Sequence, residues 1–343
     1  MAPVNALVAT PPAPADTAAA DTYEQAHVHA VYESIASHFS ATRHKPWPLV
    51  CWFLQSRRPG AVGLDLGCGN GKYIGVNPAV VLLGSDRSES LVRLARPRTR
   101  FATPAAPAPA RKARGNAAIQ PSLPPPPAPI PPVTGGDVLV ADSLALPFVP
   151  GAADFAISIA VVHHFSTRER RRDAVHRILA CLRPRNAAAA NGVSGPTTTT
   201  TTTIDLPDSA RLELPEGAVV GERASDEGAA VHAGEALIYV WALEQRSSRR
   251  GWDEGAAQDQ LVPWVTKSQQ APAGGTGAQV GAEGEAAPQT ELDKTVHRYY
   301  HLYRKGELEE DVRAVGGEVV RSGYERDNWW VICRRRADFS IHA

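Results

Sequence analysis

The first recognisable pattern of apolar positions lies near the start of the chain and has the spacing of a helix. It predicts a helix over 21–40, whose apolar residues share one face: Val28, Val31, Tyr32, Ile35 and Phe39. A proline-containing turn follows at 40–48, and a second helix is predicted over 49–55. The first part of the chain is therefore expected to be largely helical.

Short apolar runs farther along predict strands. They lie at 61–66, 79–83, 137–141, 155–161, 236–241, 318–322 and 329–333. Helices are predicted between them, at 88–95, from the capping box 166–169 to Pro184, and around 303–315. Strands that alternate with helices indicate an α/β fold with a doubly wound, mostly parallel, Rossmann-like sheet, and the last two runs predict an antiparallel carboxyl-terminal hairpin.

Three long stretches lack apolar periodicity and are expected to be low-complexity, disordered inserts: 97–136, 185–232 and 267–289. The chain is rich in proline and glycine, with 29 and 28 residues, and much of that excess lies outside the periodic segments. With a disordered start at 1–21 and a tail at 337–343, the inserts leave a single domain over 22–336. A domain of this kind can form a core without disulfide bonds.

The charge balance and the cysteines restrict the function classes. The 36 basic residues equal the 36 acidic ones, so any nucleic-acid site has to be local. The four cysteines lie far apart, which is typical of a reducing compartment. No apolar run is long enough for a membrane span, and the first 21 residues resemble no targeting signal. We expect a cytoplasmic or nuclear protein without a membrane association.

A glycine-rich loop follows the first predicted strand. Directly after Asp65 and Leu66 it contains Gly67, Cys68, Gly69 and Gly71. Glycines permit a tight turn and let a ligand approach the bare backbone. Asp86 ends the second predicted strand, where a carboxylate can accept both hydroxyls of a ribose. Loop and acid together predict an adenosine-containing cofactor.

Two cofactors compete for this loop. The dinucleotide pattern G-x-G-x-x-G requires a glycine where this chain has Lys72, which disfavours NAD. S-adenosylmethionine carries an α-amino group that Asp65 can attract, and this cofactor is favoured. Asp142 and Ser143 follow the third predicted strand and are expected to contact the adenine. Taken alone, Asp142 is equally suited to capping the next turn.

Seven segments resemble the fungal tRNA wobble-uridine carboxymethyl methyltransferase family, whose enzymes occur in animals fused to a tRNA-modifying oxygenase. They are 39–48 (FSATRHKPWP), 64–73 (LDLGCGNGKY), 84–87 (GSDR), 155–164 (FAISIAVVHH), 166–171 (STRERR), 241–250 (WALEQRSSRR) and 327–331 (DNWWV). The resemblance implies a class I S-adenosylmethionine-dependent methyltransferase fold and methyl esterification of 5-carboxymethyluridine in tRNA. It also implies a small zinc-binding activator subunit. Within these segments we expect Arg87 and Ala160 to contribute to the cofactor site.

The implied reaction uses an ionised carboxylate and needs no general base, since a carboxyl group has an ordinary pKa of about 4. The protein must instead orient the reacting atoms and exclude water. Candidate catalytic residues are Arg43, on the turn after the first helix, and His163 and His164, after the fourth predicted strand. A structural, hydrogen-bonded histidine is the alternative for either of the pair. A metal site is disfavoured, because neighbouring histidines point apart.

Substrate RNA is expected to contact basic and aromatic residues at the rim of the site: Lys45, Trp47, Arg168, Arg246, Arg249, Arg250 and Trp252. Arg168 begins a run of helix-start arginines whose charge opposes the helix macrodipole. Charge runs are also typical of solvated faces. Two further functions stay open, a methyltransferase for a small metabolite and a cofactor-binding scaffold without turnover.

The third predicted strand, 137–141, is expected at an edge of the sheet. Natural proteins usually protect an edge with charge, proline or a covering element, and the proline-rich insert before this strand is poorly suited to pair with it. We therefore expect the zinc-binding activator to cover this edge and to bury Val138 and Val140. A proline in place of Leu139 is expected to weaken that pairing.

Overall fold

The computed structural model describes residues 14, 16–43, 45–96, 135–185, 233–245, 252–266 and 294–341. Arg246, Arg249, Arg250 and nearly all of the three predicted inserts lie outside these residues. Gly135 and Gly136, which the sequence assigns to the first insert, instead begin a strand.

The described residues form nine strands, seven of them in one sheet. The strands are β1 (Val62–Leu66), β2 (Val81–Asp86), β3 (Gly135–Val140), β4 (Phe155–Ile159), β5 (Glu235–Trp241), β6 (Asp259–Thr266), β7 (Lys294–His301), β8 (Gly317–Glu325) and β9 (Asn328–Arg335). The sheet has the order β3-β2-β1-β4-β5-β9-β8. Its first five strands are parallel, and β9 is antiparallel to both neighbours. This confirms the predicted α/β class, the antiparallel hairpin and the edge position of β3.

Helices flank the sheet in the order that the sequence predicts, with local differences. They are α1 (Thr17–Glu24), a π-helical turn (Gln25–His29), α2 (Ala30–Thr42), α3 (Pro48–Gln55), α4 (Glu89–Ala95), α5 (Arg168–Cys181) and α6 (Glu307–Ala314). The side chain of Asp16 caps α1 by accepting from the Ala19 N–H at 2.8 Å, so 17–21 are helical and not disordered. Thr167, not Ser166, caps α5, because Ser166 bonds to α1 instead.

The core lies on both faces of the sheet. Along the fully buried central strand β4, Ala156 faces the α5 and α6 side, whereas Phe155 and Ile157 face the α3 side, as strand alternation requires. Phe339, in the segment expected to be a tail, packs against the first of these clusters and stacks on His176 with ring centroids 4.9 Å apart. The folded unit therefore extends beyond residue 336.

Strands β6 and β7 form a separate two-stranded antiparallel sheet that the sequence does not predict. Their alternation is weak, because β6 contains Pro263 and β7 carries charged and polar residues at most positions. Twenty-seven residues, 267–293, separate the two strands in the sequence. Strand β7 packs against the π-helical turn and against a short 3₁₀ helix, Val162–His164, that follows β4. Strands β6 and β7, called the β6–β7 hairpin below, therefore lie over the carboxyl ends of the parallel strands.

Candidate functional site

A cavity opens at the carboxyl ends of β1, β2, β3 and β4, where parallel α/β sheets bind ligands. Its walls include the following residues predicted from the sequence: Arg43, Trp47, Gly67, Cys68, Gly69, Asp86, Arg87, Asp142, Ser143, Ala160 and His164. Segments from α2, from all four strand ends and from the β6–β7 hairpin meet here. The structure thus brings together most of the side chains that the sequence assigns to one site.

The glycine loop folds back on the end of β2. The N–H groups of Gly67 and Cys68 donate to the carbonyl of Ser85 at 2.7 and 2.9 Å. Gly67 has a φ of +84°, and a Cβ there would lie 2.2 Å from a methyl group of Val161. A side chain at this position is excluded, so the backbone of the loop forms the cavity wall.

Gly71 has a different role from the one predicted. It does not line the cavity, and a Cβ on it would lie 2.9 Å from the Cβ of Ala95 in α4. This glycine therefore allows α4 to pack closely against the loop. Its contribution to a cofactor site is indirect, through the position of the loop.

Asp86 connects the glycine loop to the start of α4. Its Oδ2 accepts from the Gly69 N–H at 2.8 Å, and its Oδ1 accepts from the Ser88 N–H at 2.9 Å. Burial raises the pKa of this carboxyl above its ordinary value, although the backbone donors oppose the shift. The carboxylate is consequently fixed in orientation while it faces the cavity.

Asp65, the penultimate residue of β1, lies behind the loop, is only 1 % exposed and does not line the cavity wall. Its Oδ2 has no hydrogen-bond partner among the described residues. Burial raises its pKa to about 7, against the opposing effect of the nearby Lys72. Buried polar atoms are almost always hydrogen-bonded, so a donor is expected beside this oxygen, from an ordered water molecule or from a ligand.

Arg87 and Asp142 close the cavity on the side of β3. Their side chains form an ion pair between the ends of β2 and β3. The Oδ1 of Asp142 also accepts from the Leu144 N–H at 2.8 Å, so Asp142 caps the next turn. It lines the cavity as well, so both interpretations of this residue apply.

Two residues that the sequence does not single out hold α2 and the residue that follows it, Arg43, over this loop. The side-chain amide of Asn70 donates to the carbonyl of Arg43 and to the hydroxyl of Ser40, both at 3.2 Å. Glu33 of α2 accepts from the Ser88 hydroxyl at 2.5 Å and from Ser90. A polar residue between two glycines is the only local signal for Asn70, since its partners lie about 30 positions earlier.

His164 lies in the cavity wall as a neutral imidazole. Its Nδ1 is 2.8 Å from the carbonyl of Tyr299, which can only accept, so Nδ1 carries the proton. Its Nε2 then accepts from the hydroxyl of Tyr32 at 3.0 Å. Burial lowers its pKa to about 3. Both ring nitrogens are thus committed to protein partners.

His163 lies outside the cavity wall, contrary to its predicted catalytic role. It is fully buried, and its Nδ1 accepts from the Trp241 N–H at 2.9 Å. Burial lowers its pKa well below the ordinary value. The physical reason is the 3₁₀ helix, which turns His163 toward β5 and His164 toward the cavity. The structural, hydrogen-bonded alternative describes His163.

Arg298 of β7 is a cavity residue that sequence reasoning misses. It is 1 % exposed and donates to the hydroxyl of Tyr32 at 3.1 Å. Its guanidinium lies 4.6 Å from the ring centroid of Trp264 and 5.2 Å from that of Tyr300. The sequence hides it because it lies on the unpredicted hairpin, 266 positions from Tyr32.

Arg168 does not reach the cavity. Its Nε donates to Asp311 at 2.9 Å, and its Nη2 donates to Glu310 at 2.8 Å. Two neighbours in the same run are also held by carboxylates, Arg170 by α1 and Arg172 by α6. These pairs explain why the start of α5 carries so much positive charge, and they account for that charge without an RNA contact.

The other rim residues lie at different distances from the cavity. Trp47 lines it and stands 5.0 Å from the ammonium of Lys72, measured from the ring centroid. Lys45 is exposed and outside the wall, and Trp252 lies 6.4 Å from Trp241, ring to ring. In the described part of the chain, no three histidine, cysteine or acidic side chains are grouped as metal ligands. None of its helices is long and apolar enough to cross a membrane.

Comparisons with known proteins add independent information. Residues 64–189 match the family model described as a methyltransferase domain. The chain is 36 % identical to the tRNA (carboxymethyluridine(34)-5-O)-methyltransferase of Saccharomyces cerevisiae, over 91 % of this chain and 97 % of that protein. It is 35 % identical to the Schizosaccharomyces pombe protein of the same name, over 91 % and 98 %. Among solved structures, a complex of the Haloferax volcanii Trm112 methyltransferase activator with a methyltransferase aligns at 12 % identity, over 89 % of this chain and 97 % of that chain, with a TM-score of 0.46.

Proposed function

Because the chain belongs to the family of tRNA (carboxymethyluridine(34)-5-O)-methyltransferases, we propose that its cavity transfers a methyl group from S-adenosylmethionine to the carboxylate of 5-carboxymethyluridine in tRNA. The product is the methyl ester at the wobble position. One observation supports this proposal most directly. The glycine loop, the carboxylates of Asp86 and Asp142 and the buried Arg298 all line the same cavity.

The residues of the loop fit S-adenosylmethionine. The unpartnered Oδ2 of Asp65 suits an α-ammonium group, and Asp86 suits the ribose hydroxyls. Asp142 and Ser143 suit the adenine. Lys72 and Arg43 place positive charge near the loop, where it suits the α-carboxylate of the cofactor. Burial, and after it the charge of Arg43, lowers the pKa of Lys72 to about 8. When bound, the cofactor supplies an electrophilic sulfonium methyl group.

The protein's part in the reaction is to orient and enclose. An acceptor carboxylate is ionised near pH 7 without help. The neutral His164 removes no proton from it, and no base is needed. Helix α2, fixed over the loop by Asn70 and Glu33, covers the cavity and shields it from water. Catalysis thus depends on how the protein positions the acceptor carboxylate against the methyl group, and on the charged residues around them.

The direct test is methyl transfer to tRNA from cells that lack this protein, followed by mass spectrometry of the anticodon nucleosides. We expect conversion of 5-carboxymethyluridine to its methyl ester by the wild type and much less by Asp86→Ala. Methylation of a small metabolite but not of tRNA would favour the alternative enzyme. Cofactor binding without any transfer, also in the presence of an activator, would favour the scaffold.

A small zinc-binding activator at the edge strand β3 completes the proposal. Val140 is 51 % exposed on this strand, and Leu94 of the adjacent α4 is 39 % exposed. Val138 is already buried by α4, so only Val140 is available to a partner. Exposed apolar side chains beside an open edge favour a covering partner.

The backbone of β3 decides which residue tests this edge. The Ala141 N–H donates to the carbonyl of Asp86, so the N–H groups of 139 and 141 face β2 and those of 138 and 140 face outward. A proline at Leu139 would therefore damage the sheet itself. The cleaner variant is Val140→Pro, with Val320→Pro in the bulge of the opposite edge strand as its control.

We expect the isolated chain to be poorly soluble and nearly inactive, and co-expression with the activator to rescue both properties. Val140→Pro should abolish co-purification while Val320→Pro preserves it, and cofactor affinity should be similar in both variants. Full activity of the chain alone would refute the need for the activator. Equal co-purification of both variants would place it elsewhere.

A further inference from the structure

Arg298 is a buried cation for which the described protein supplies no anion. Its only hydrogen-bond acceptor among the described residues is the hydroxyl of Tyr32. Its Nε is buried and has no partner, and no carboxylate of the described residues pairs with it. Burying an unpaired charge is costly, and proteins normally pair it. The faces of three aromatic rings offset part of that cost, at 4.6 Å for Trp264, 5.2 Å for Tyr300 and 5.5 Å for Tyr32.

The neighbours of Arg298 form the end of the cavity to which β7 contributes. Tyr300 stacks on Trp241 with ring centroids 4.3 Å apart and an interplanar angle of 16°. Both rings line the cavity, together with His164. Lys72, in contrast, belongs to the glycine loop and lies against Trp47 and Tyr73. The cavity therefore has a cationic, aromatic end built from residues other than those assigned above to the cofactor.

Hydrogen bonds around Arg298 leave it as the donor at this end. The hydroxyl of Tyr32 accepts from Arg298 and gives its own proton to His164 Nε2. His164 spends its single N–H on the carbonyl of Tyr299. Neither His164 nor Tyr32 thus has a free proton to offer a ligand. The hydroxyl of Tyr300 gives its proton to Tyr32 at 3.2 Å, because Tyr32 donates to His164. An anion that enters here meets the guanidinium as its hydrogen-bond donor.

We propose that Arg298 recognises the charge of the acceptor group, so that the site selects an acid, 5-carboxymethyluridine, over its uncharged amide, 5-carbamoylmethyluridine. This inference rests on the proposed function. One carboxylate oxygen accepts from the guanidinium, and the other gives a lone pair to the methyl carbon as the sulfur–methyl bond breaks toward sulfur. No proton is released. Arg298 is single, flanked by rings rather than by further cations, so it orients the carboxylate without holding its charge too strongly for transfer.

The experiment compares two tRNAs that differ only at the wobble base. The acid form is the substrate, and the amide form, which cannot be esterified, is an unreactive competitor. For the wild type we expect the acid to bind about 10- to 100-fold more tightly than the amide, as for a charge-assisted hydrogen bond. In Arg298→Gln the two should bind within about twofold, and Arg298→Lys should retain part of the preference.

Arg43→Gln is the matched control, because it removes another positive charge from the same cavity wall. It should change turnover or cofactor affinity while the preference for the acid persists. Tyr32→Phe is a milder second variant, which keeps the ring and removes the acceptor that orients Arg298. It should lower the preference for the acid in part. Binding of S-adenosylmethionine, measured by calorimetry, should be nearly unchanged in Arg298→Gln and in Tyr32→Phe.

The outcomes separate this inference from the proposed function. Wild type that does not esterify the acid form refutes the proposed function itself. Wild type that esterifies it, while Arg298→Gln and Tyr32→Phe keep the full preference for the acid, overturns only the role of Arg298. If Arg298→Gln loses cofactor binding to the same extent as tRNA binding, Arg298 belongs to the cofactor site or is needed for folding. That result would also overturn the proposed role of Arg298.

Discussion

The Gly69 N–H donates to the Oδ2 of Asp86 at 2.8 Å, so the acid that ends β2 also holds the loop that it faces. A residue expected only to bind ribose therefore shapes the site before any ligand enters. Its second oxygen, bonded to the Ser88 N–H, fixes the start of α4 in the same way. Ligand contact and loop position consequently depend on a single carboxylate.

Asp86→Ala should weaken the binding of S-adenosylmethionine by about 1–3 kcal/mol, because charge-assisted contacts with the cofactor are lost. Asp86→Asn keeps one acceptor oxygen and should lose less. Calorimetric titration measures both. Glu89→Gln, which breaks only an exposed pair with Arg93, is the control and should bind normally. An unaltered dissociation constant in Asp86→Ala would remove Asp86 from the cofactor site.

Cofactor affinity should depend on pH through Asp65. Burial raises the pKa of its carboxyl to about 7, so the ligand-free protein holds a proton there below that pH. An ammonium ligand binds the ionised form, and its own pKa of about 8 keeps it charged. Affinity should therefore rise as pH increases from 5.5 to 7, by up to about tenfold per pH unit. Titrations at several pH values measure the slope.

Asp65→Asn is the control for that slope. It should bind more weakly and show a flatter profile, because the carboxyl group that titrates in this range is removed. The raised pKa also means that the ligand-free wild type loses stability as pH rises from about 4 to 7, because in this range the folded state holds a proton that the unfolded state has lost. A slope of the same size in Asp65→Asn would assign the pH dependence to another group.

The methyl-transfer step should be nearly independent of pH between 6 and 7.5 when the cofactor is saturating. Burial lowers the pKa of His164 to about 3 and keeps that of His163 well below its ordinary value. Neither imidazole titrates in this range, and an acceptor carboxylate is already ionised. Single-turnover rates test this directly. A tenfold rise per pH unit near 7 would instead indicate a catalytic base.

Glu24 should be important for stability. It is 1 % exposed and accepts from the Ser166 N–H at 2.7 Å and from Arg170 Nη2 at 2.8 Å. Glu24→Ala leaves a largely buried arginine with only the exposed Asp21, and should lower the free energy of unfolding by about 3–5 kcal/mol. Urea unfolding gives the value. Asp173→Asn, at an exposed pair with Arg177, should change it by about 0.5 kcal/mol or less.

The cofactor end of the site was predictable because its signals are local. Gly67, Asp86 and Asp142 each stand at the end of an apolar run, and parallel strands bring those ends together. The acceptor end was not, because Tyr32 and Tyr300 bond to each other across 268 positions. The carboxylate partners of the arginines at the start of α5 could not be predicted for the same reason, because they lie more than 130 positions away in the sequence.

Because the chain is synthesised from its amino terminus, the β6–β7 hairpin is made late. The glycine loop and Asp86 are synthesised early, whereas Arg298 and Tyr300 emerge only when most of the chain has been made. A domain generally folds as a unit, so the cavity is complete only after this hairpin has been synthesised. Fragments released before residue 298 lack Arg298 and, with it, the means to choose between acid and amide.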